Sequence, residues 1–150
     1  GMQVQKSVFN KDQGYNVVNG QKIILSEDEL EQALTDSKLF SELSYDYEIV
    51  RLVGSSTIDN QKVYEIKISD NNTEYYSIET GLKVKEVENQ LIDGNQIIIE
   101  TTIKEYQEVN GILIPSEINQ VTPAVPIPGG ITIKFNTIEL NVESSDSDFN

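Results

Sequence analysis

The sequence predicts a mostly β chain of the α+β class, folded as one domain over residues 1–150. Three observations carry this prediction. Most of the chain divides into short segments rich in Ile, Val, Tyr and Thr, the residues that favour strands. Turn-forming pairs separate these segments at intervals that suit an antiparallel meander and leave no room for crossover helices. A single segment has the pattern of a helix.

That helix is predicted within residues 26–40, SEDELEQALTDSKLF. Ser26 precedes Glu29 by three residues, which is the spacing of a capping box. Acidic residues fill the first turn, where the helix dipole favours negative charge. Leu30, Ala33 and Leu34 form a narrow apolar stripe, so we expect one face of the helix to pack on a sheet.

The remaining regular structure is predicted as strands separated by turns. The turn signals include Asn19-Gly20, Asp59-Asn60, Thr80-Gly81 and Asn110-Gly111. Between the turns we expect strands near 3–9, 15–18, 22–25, 45–53, 61–69, 73–78, 82–91, 96–109, 112–121 and 130–142. The proline-rich segment 122–130 is predicted as a loop, and 143–150 as an acidic tail with Phe149 folded back.

The segment 103–118, IKEYQEVNGILIPSEI, is predicted as a hairpin around a type I′ turn at Asn110-Gly111. Counting outward from this turn pairs Val109 with Ile112, Tyr106 with Pro115, Lys104 with Glu117 and Ile103 with Ile118. The Lys104–Glu117 pair would form an ion pair on the wet face. Since Glu105 and Gln107 would fall on the apolar face, we expect a bulge near Gln107.

Composition excludes several functions. The formal net charge is −14, from 25 acidic and 11 basic residues, which argues against nucleic acid and against an anionic membrane surface as partners. The chain has no cysteine and no histidine, so we expect no disulfide, no thiol nucleophile and no ordinary zinc site. No apolar run is long enough for a transmembrane helix, so the chain is not predicted to be an integral membrane protein. The opening Gly1-Met2 is typical of a tag remnant, so we expect the natural N-terminal segment to be missing.

Catalytic chemistry is not predicted. Serine has no histidine base here, and no glycine-rich phosphate loop opens a helix. Asp70, Asn72 and Glu74 match the first ligand spacing of a calcium loop, but Tyr75 and Gly81 stand where that loop requires glycine and glutamate. We therefore predict a non-enzymatic protein with no metal and no cofactor.

Several short motifs resemble lipoprotein-carrier-like (LolA-like) domains of Bacteroidetes-type bacteria, over roughly residues 8–149. The hairpin carries the clearest one, with Tyr106, Val109-Asn110-Gly111-Ile112, Pro115 and Ile118. Further segments are similar: 39–43 (LFSEL), 63–66 (VYEI), 75–82 (YYSIETGL), 141–142 (NV) and 148–149 (DF). Such a domain is similar to the one that follows the peptidase modules of some exported insulinase-type zinc peptidases.

The resemblance implies a curved antiparallel sheet, an incomplete β-barrel, with the helix packed on its concave face. In the carrier family the concave face holds acyl chains. The resemblance also implies a periplasmic or cell-envelope location. The zinc-binding motif of the peptidases is absent, so peptidase activity is not expected.

Two functions from different classes remain open. The first is a module that binds a hydrophobic or acylated ligand, an acyl chain or a lipoprotein, on the concave face. Its predicted ligand-binding residues, which could equally be ordinary core, are Ile66, Ile68, Tyr76, Ile78, Ile99, Ile103, Ile112, Ile114 and Ile118. The second is an accessory domain that docks on a partner or on a peptidase module through Tyr45, Tyr47 and Tyr75, because tyrosine is enriched at interfaces.

Overall fold

A computed structural model of the chain describes residues 5–38, 40–92, 94–123 and 127–141. Within these ranges the chain forms ten strands, one α-helix and one 3-10 helix at Ser41–Ser44. The helix α1 is Glu27–Asp36. The strands are β1 Gln5–Phe9, β2 Gly14–Val18, β3 Gln21–Ile24, β4 Arg51–Ile58, β5 Gln61–Lys67, β6 Asn72–Ser77, β7 Lys83–Ile92, β8 Asn95–Val109, β9 Ile112–Val121 and β10 Ile131–Lys134.

The chain divides into two compact units. The first contains the described residues up to Tyr45, and the second begins at Asp46. A single domain over 1–150 stays a prediction, and the acidic tail 143–150 with Phe149 lies outside the described residues.

The first unit is a three-stranded antiparallel sheet, β1-β2-β3, with α1 packed against β1. Gly14, at the start of β2, is closely surrounded by side chains. A Cβ at this position would lie only 2.7 Å from the Phe9 Cβ and from the Leu25 Cδ1, so a larger residue does not fit there without a shift. The backbone N–H of Leu25 donates to the carbonyl of Gly14. This hydrogen bond holds the segment between β3 and the helix against β2. The expected packing of the helix on the concave face of the larger sheet concerns the arrangement of the two units and stays a prediction.

The helix begins as predicted. The Ser26 hydroxyl accepts from the Glu29 backbone N–H, and the Glu29 carboxylate accepts from the Ser26 backbone N–H at 2.7 Å. This is the complete capping box. The helix ends at Asp36, earlier than the segment 26–40, because Ser37 caps it and its backbone N–H donates to Ala33.

The second unit is a seven-stranded sheet in the order β10-β9-β8-β7-β6-β5-β4. Every strand pairs antiparallel with its neighbour in sequence, which confirms the mostly β meander. The sheet is open, with β4 and β10 at its edges, and does not close into a barrel.

Two predicted strands have the wrong bounds. The strand expected at 45–53 is β4, Arg51–Ile58, because Asp46 starts a turn: its carboxylate accepts from the Glu48 N–H, and its carbonyl accepts from Ile49 and Val50. The strand expected at 130–142 is β10, Ile131–Lys134. One further hydrogen bond, from Phe135 N–H to the Ser116 carbonyl, follows its last residue.

The hairpin of β8 and β9 confirms the predicted turn and corrects the predicted ion pair. Asn110 and Gly111 have φ of 53° and 81°, as a type I′ turn requires, and Val109 pairs with Ile112. The pairs Tyr106–Pro115 and Ile103–Ile118 are also present.

Lys104 does not pair with Glu117, because the register shifts twice between Ile103 and Tyr106 and places Glu105 opposite Glu117. The irregularity therefore lies between Ile103 and Tyr106, directly before Gln107, where a bulge was expected. Lys134 of β10 supplies the cation instead, with its Nζ 2.7 Å from Glu117 and 3.2 Å from Glu105. These two hydrogen bonds raise the pKa of Lys134.

Candidate functional site

Five of the predicted ligand-binding residues lie on one face of the seven-stranded sheet. Residues paired across strands share a face, and so do residues two apart on a strand. The pairs Ile66–Glu74, Glu74–Glu86, Glu88–Ile99 and Ile103–Ile118 therefore connect one face from β5 to β9. We name this surface the isoleucine face; its predicted ligand-binding residues are Ile66, Tyr76, Ile99, Ile103 and Ile118.

The isoleucine face remains partly exposed. All five of these side chains are half-buried. On β10, Ile133 pairs with Ile118, and Ile131 pairs with Gln120, so both extend the face to the edge of the sheet. Ile131 is 38% exposed and Ile133 is 42% exposed. An apolar surface thus runs from β8 across β9 to β10 without becoming a fully buried core.

The strand pairing does not place the other four predicted residues on this face. Ile68 directly follows the end of β5 and is half-buried. Ile78 follows β6 and Ile112 begins β9 at the hairpin turn, and each is 40% exposed. Ile114 is only 4% exposed and lies beyond the register shifts of β8 and β9, so its environment is that of core.

Beside the isoleucines, the same face carries hydrogen-bonded polar side chains, of which the sequence analysis predicted only Tyr76 as part of a site. We name Asn72, Glu74, Tyr76, Lys83 and Glu86 the polar cluster. The Glu74 side chain is 1% exposed and accepts from the Tyr76 hydroxyl at 2.5 Å and from Lys83 Nζ at 2.7 Å. A buried carboxylate needs such partners, because an unpaired buried charge is strongly unfavourable.

Glu86 and Asn72 form the second half of the polar cluster. Asn72 Nδ2 donates to Glu86 Oε1 at 2.7 Å, and Lys83 Nζ lies 3.9 Å from Glu86 Oε2. Burial raises the pKa of Glu86, with smaller opposing effects from Lys83 and Asn72. Asn72 Oδ1 is buried and has no hydrogen-bond partner in the described part of the chain.

The signal in the sequence that could have identified the polar cluster is the alternation of polar residues, every second position, along two strands. Asn72, Glu74 and Tyr76 alternate on β6, and Glu86 and Glu88 alternate on β7. This places polar groups on the face that the isoleucines share. From the sequence, Asn72 and Glu74 were considered as calcium ligands and not as polar groups of this face.

The structure gives the oxygens of that calcium pattern other partners. Asp70 accepts from Lys67 Nζ at 3.0 Å, which lowers the pKa of its carboxyl. Asn72 and Glu74 belong to the polar cluster, with the partners given above. Among the described residues, no group of three acidic, histidine or cysteine side chains is arranged to hold a metal ion.

The opposite face of the sheet carries its own charges. Lys85 Nζ lies 2.6 Å from Glu100 Oε2, with both side chains partly exposed. Tyr75 pairs with Glu65 and Lys85 on this face, and burial followed by the Glu65 charge raises its pKa. Of the tyrosines predicted for docking, Tyr47 is 78% exposed, while Tyr45 and Tyr75 are half-buried.

A separate cavity of about 410 Å³ lies in the first unit. Its apolar wall includes Val8, Phe9 and Ile24, and Lys22 Nζ lies 3.7 Å from the centroid of the Tyr15 ring. None of the nine predicted ligand-binding residues lines this cavity.

In the described part of the chain, no helix has the length and hydrophobicity needed to cross a membrane.

Comparison with known proteins supports the fold. No family model matches the chain, and no curated protein matches it. A solved structure of a DUF1329 family protein from Desulfovibrio piger is similar, with a TM-score of 0.59 and 13% sequence identity. The match covers 98% of this chain and 69% of that protein. DUF1329 is a family of LolA-like fold, so the predicted fold class is confirmed; at this identity the likeness concerns the fold alone.

Proposed function

We propose that this protein is a non-enzymatic binding module for a hydrophobic or acylated ligand, held on the isoleucine face. The observation that carries the proposal is the partly exposed apolar row formed by Ile103, Ile118 and Ile133 across β8, β9 and β10. Ile131 lies beside Ile133 on β10, and Ile99 lies beyond the Thr101–Gln120 pair on the same face. Contiguous apolar surface of this kind in a water-soluble sheet typically marks a binding site. The LolA-like fold supports the same function by analogy.

A fluorescence titration tests the proposal. N-phenyl-1-naphthylamine is an uncharged probe whose emission rises in apolar surroundings. We expect saturable binding that decanoate or 1-decanoylglycerol reverses. Ile103→Gln should weaken probe binding by about tenfold, because the ligand loses a buried isoleucine contact.

The matched control is Ile98→Gln. Ile98 is the same residue type on the same strand, but it pairs with Asn89 on the opposite face and is 46% exposed. This variant should bind the probe as the unchanged protein does. Equal weakening in both variants, with both folded by circular dichroism, would contradict a site on the isoleucine face.

An accessory docking role is the second candidate, favoured by the exposure of Tyr47 at 78% and of Leu52 at 63% in the second unit. In this role the chain has no ligand of its own and contacts an exported zinc peptidase module. The periplasmic or cell-envelope location belongs to the same proposal. A folded protein that binds neither the probe nor the acyl compounds would favour docking, which Tyr47→Ser should then weaken in a binding assay with the peptidase module.

A further inference from the structure

We propose that the polar cluster selects the head group of the ligand: an acyl compound with an uncharged head that donates hydrogen bonds, a hydroxyl or an amide, and not a free fatty acid. The inference rests on the proposed function, since it assumes that the isoleucine face holds the chain. It assigns the polar cluster the role of a head-group site.

Charge on the isoleucine face disfavours a carboxylate. On β6 and β7 this face carries three glutamates, Glu74, Glu86 and Glu88, against one lysine, Lys83. The lysine ammonium already lies 2.7 Å from Glu74 and 3.9 Å from Glu86. A fatty acid carboxylate would therefore lie among like charges and would have to compete for a cation that is paired.

A cationic head would be attracted by these glutamates, but it would lose its own hydration on leaving water, and Glu74 and Glu86 already have Lys83 and Asn72 as partners. An uncharged head has neither this hydration cost nor the repulsion that a carboxylate would meet.

Asn72 provides the acceptor that such a head requires. Its Oδ1 is buried without a hydrogen-bond partner in the described chain, while its Nδ2 is held by Glu86 at 2.7 Å. Because this oxygen has almost no solvent-accessible area, a ligand reaches it only when the side chains that cover it move aside, and a donor that does so relieves the cost of the missing hydrogen bond. A hydroxyl or an amide N–H can donate to it, and an ionised carboxylate cannot.

The polar cluster also lies next to the isoleucines, where the head group of a bound acyl compound would be. Glu88 alternates with Glu86 on β7 and pairs with Ile99 of β8. The polar side chains of β6 and β7 are therefore next to the isoleucines of β8 and β9 on one continuous face. An extended ligand can lay its chain across β8 and β9 with its head over β6 and β7.

Competition between two ligands of equal chain length tests the inference. Decanoate and 1-decanoylglycerol each displace N-phenyl-1-naphthylamine from the full chain at pH 7, below their aggregation concentrations. We expect the glycerol ester to bind at least about fivefold more tightly than decanoate, and Glu86→Gln to reduce this preference by removing one negative charge. The control Glu65→Gln makes the same charge change on the opposite face and should leave the preference unchanged.

The outcomes separate the two proposals. Decanoate binding as tightly as the ester, or a preference that Glu86→Gln leaves intact, would overturn the head-group inference while the apolar site stands. A folded protein that binds no probe at all would overturn both. A preference that falls in Glu86→Gln and persists in Glu65→Gln would support the inference.

Discussion

The side chain of Glu74 is 1% exposed, and the carboxylate depends on two neighbours for its stability. Tyr76 donates one hydrogen bond, and Lys83 supplies the compensating charge at 2.7 Å. Burying both charges costs hydration, so the intact pair adds little net stability. Removing only one partner is strongly destabilising, because the other charge stays buried without compensation.

Lys83→Met should therefore lower the free energy of unfolding by about 3 kcal/mol, measured by urea denaturation with circular dichroism. Lys85→Met is the matched control, because Lys85 pairs with the more exposed Glu100 on the opposite face. Its cost should stay under about 1 kcal/mol. Similar costs for the two variants would refute the special role of the buried pair.

The pH dependence of stability reports on Glu86. Because burial raises its pKa above the ordinary 4.5, the folded state binds the proton more tightly than the unfolded state. The free energy of unfolding then falls as pH rises from 4.5 through the raised pKa. Glu86→Gln should gain stability relative to the unchanged protein between pH 4 and pH 7. Urea midpoints at both pH values measure the change, and a relative loss at pH 7 would show that Glu86 is stabilised as a carboxylate.

The pairings that could be predicted from the sequence are those that neighbouring residues determine by themselves. Asn110-Gly111 fixes the turn by itself, so Val109–Ile112 followed from the sequence. The Lys104–Glu117 pair did not form, because the register shifts beside a third strand that brings Lys134 between Glu105 and Glu117. The polar cluster escaped prediction for the same reason, since its members come from two strands whose pairing includes a bulge beyond Tyr75.

At the scale of elements, the helix start is the best-determined feature. The capping box joins Ser26 and Glu29 through hydrogen bonds in both directions. Ser26→Ala should cost about 1 kcal/mol, because it leaves the Glu29 backbone N–H without its acceptor. Thermal unfolding followed by circular dichroism measures this cost, with the exposed Thr35→Ala in the last turn as the control. A cost no larger than that of the control would contradict the role of the cap.

The same cap predicts an acid sensitivity. Hydrogen bonds from the Ser26 backbone and hydroxyl lower the pKa of Glu29 below the ordinary 4.5. The carboxylate therefore stabilises the fold fully above pH 4.5, and this contribution is lost as pH falls through the lowered pKa. Glu29→Gln should remove that part of the acid sensitivity, whereas Glu31→Gln, two residues later in the helix, should retain it.

The hairpin turn gives a second test at this scale. Gly111 has a φ of +81°, which an alanine adopts only with strain, although a Cβ there would meet no atom within 4 Å. Gly111→Ala should cost about 1 kcal/mol in urea denaturation. Gly54→Ala is the control, because its surroundings are equally open and its φ is not left-handed. A loss in Gly54→Ala as large as that in Gly111→Ala would contradict this account of the turn.

Element boundaries were predicted less well than element types. The segment 45–53 has strand-like composition, yet the carboxylate and carbonyl of Asp46 hold residues 46–50 in a turn. Such a side-chain hydrogen bond competes locally with strand pairing. The strand begins only where β5 offers a partner, at Arg51 opposite Lys67.

At the scale of the whole molecule, the antiparallel order followed from the sequence because each strand pairs with the next one along the chain. Alternation along each strand, together with the observed register between the strands, places Ile66, Ile99 and Ile103 on one face. The division into two compact units was not predicted, because it depends on contacts between distant segments and not on any local pattern. The mixture of isoleucines with a buried ion pair on one face is the feature on which the proposed site rests.

Methyl NMR with isoleucine labelling tests the central claim most directly. Titration of 1-decanoylglycerol into the full chain should shift the methyl signals of Ile66, Ile99, Ile103 and Ile118, which share the isoleucine face. Ile98 on the opposite face should not shift. Shifts confined to Ile24, in the cavity of the first unit, or an absence of shifts at every isoleucine, would contradict a binding site on the isoleucine face.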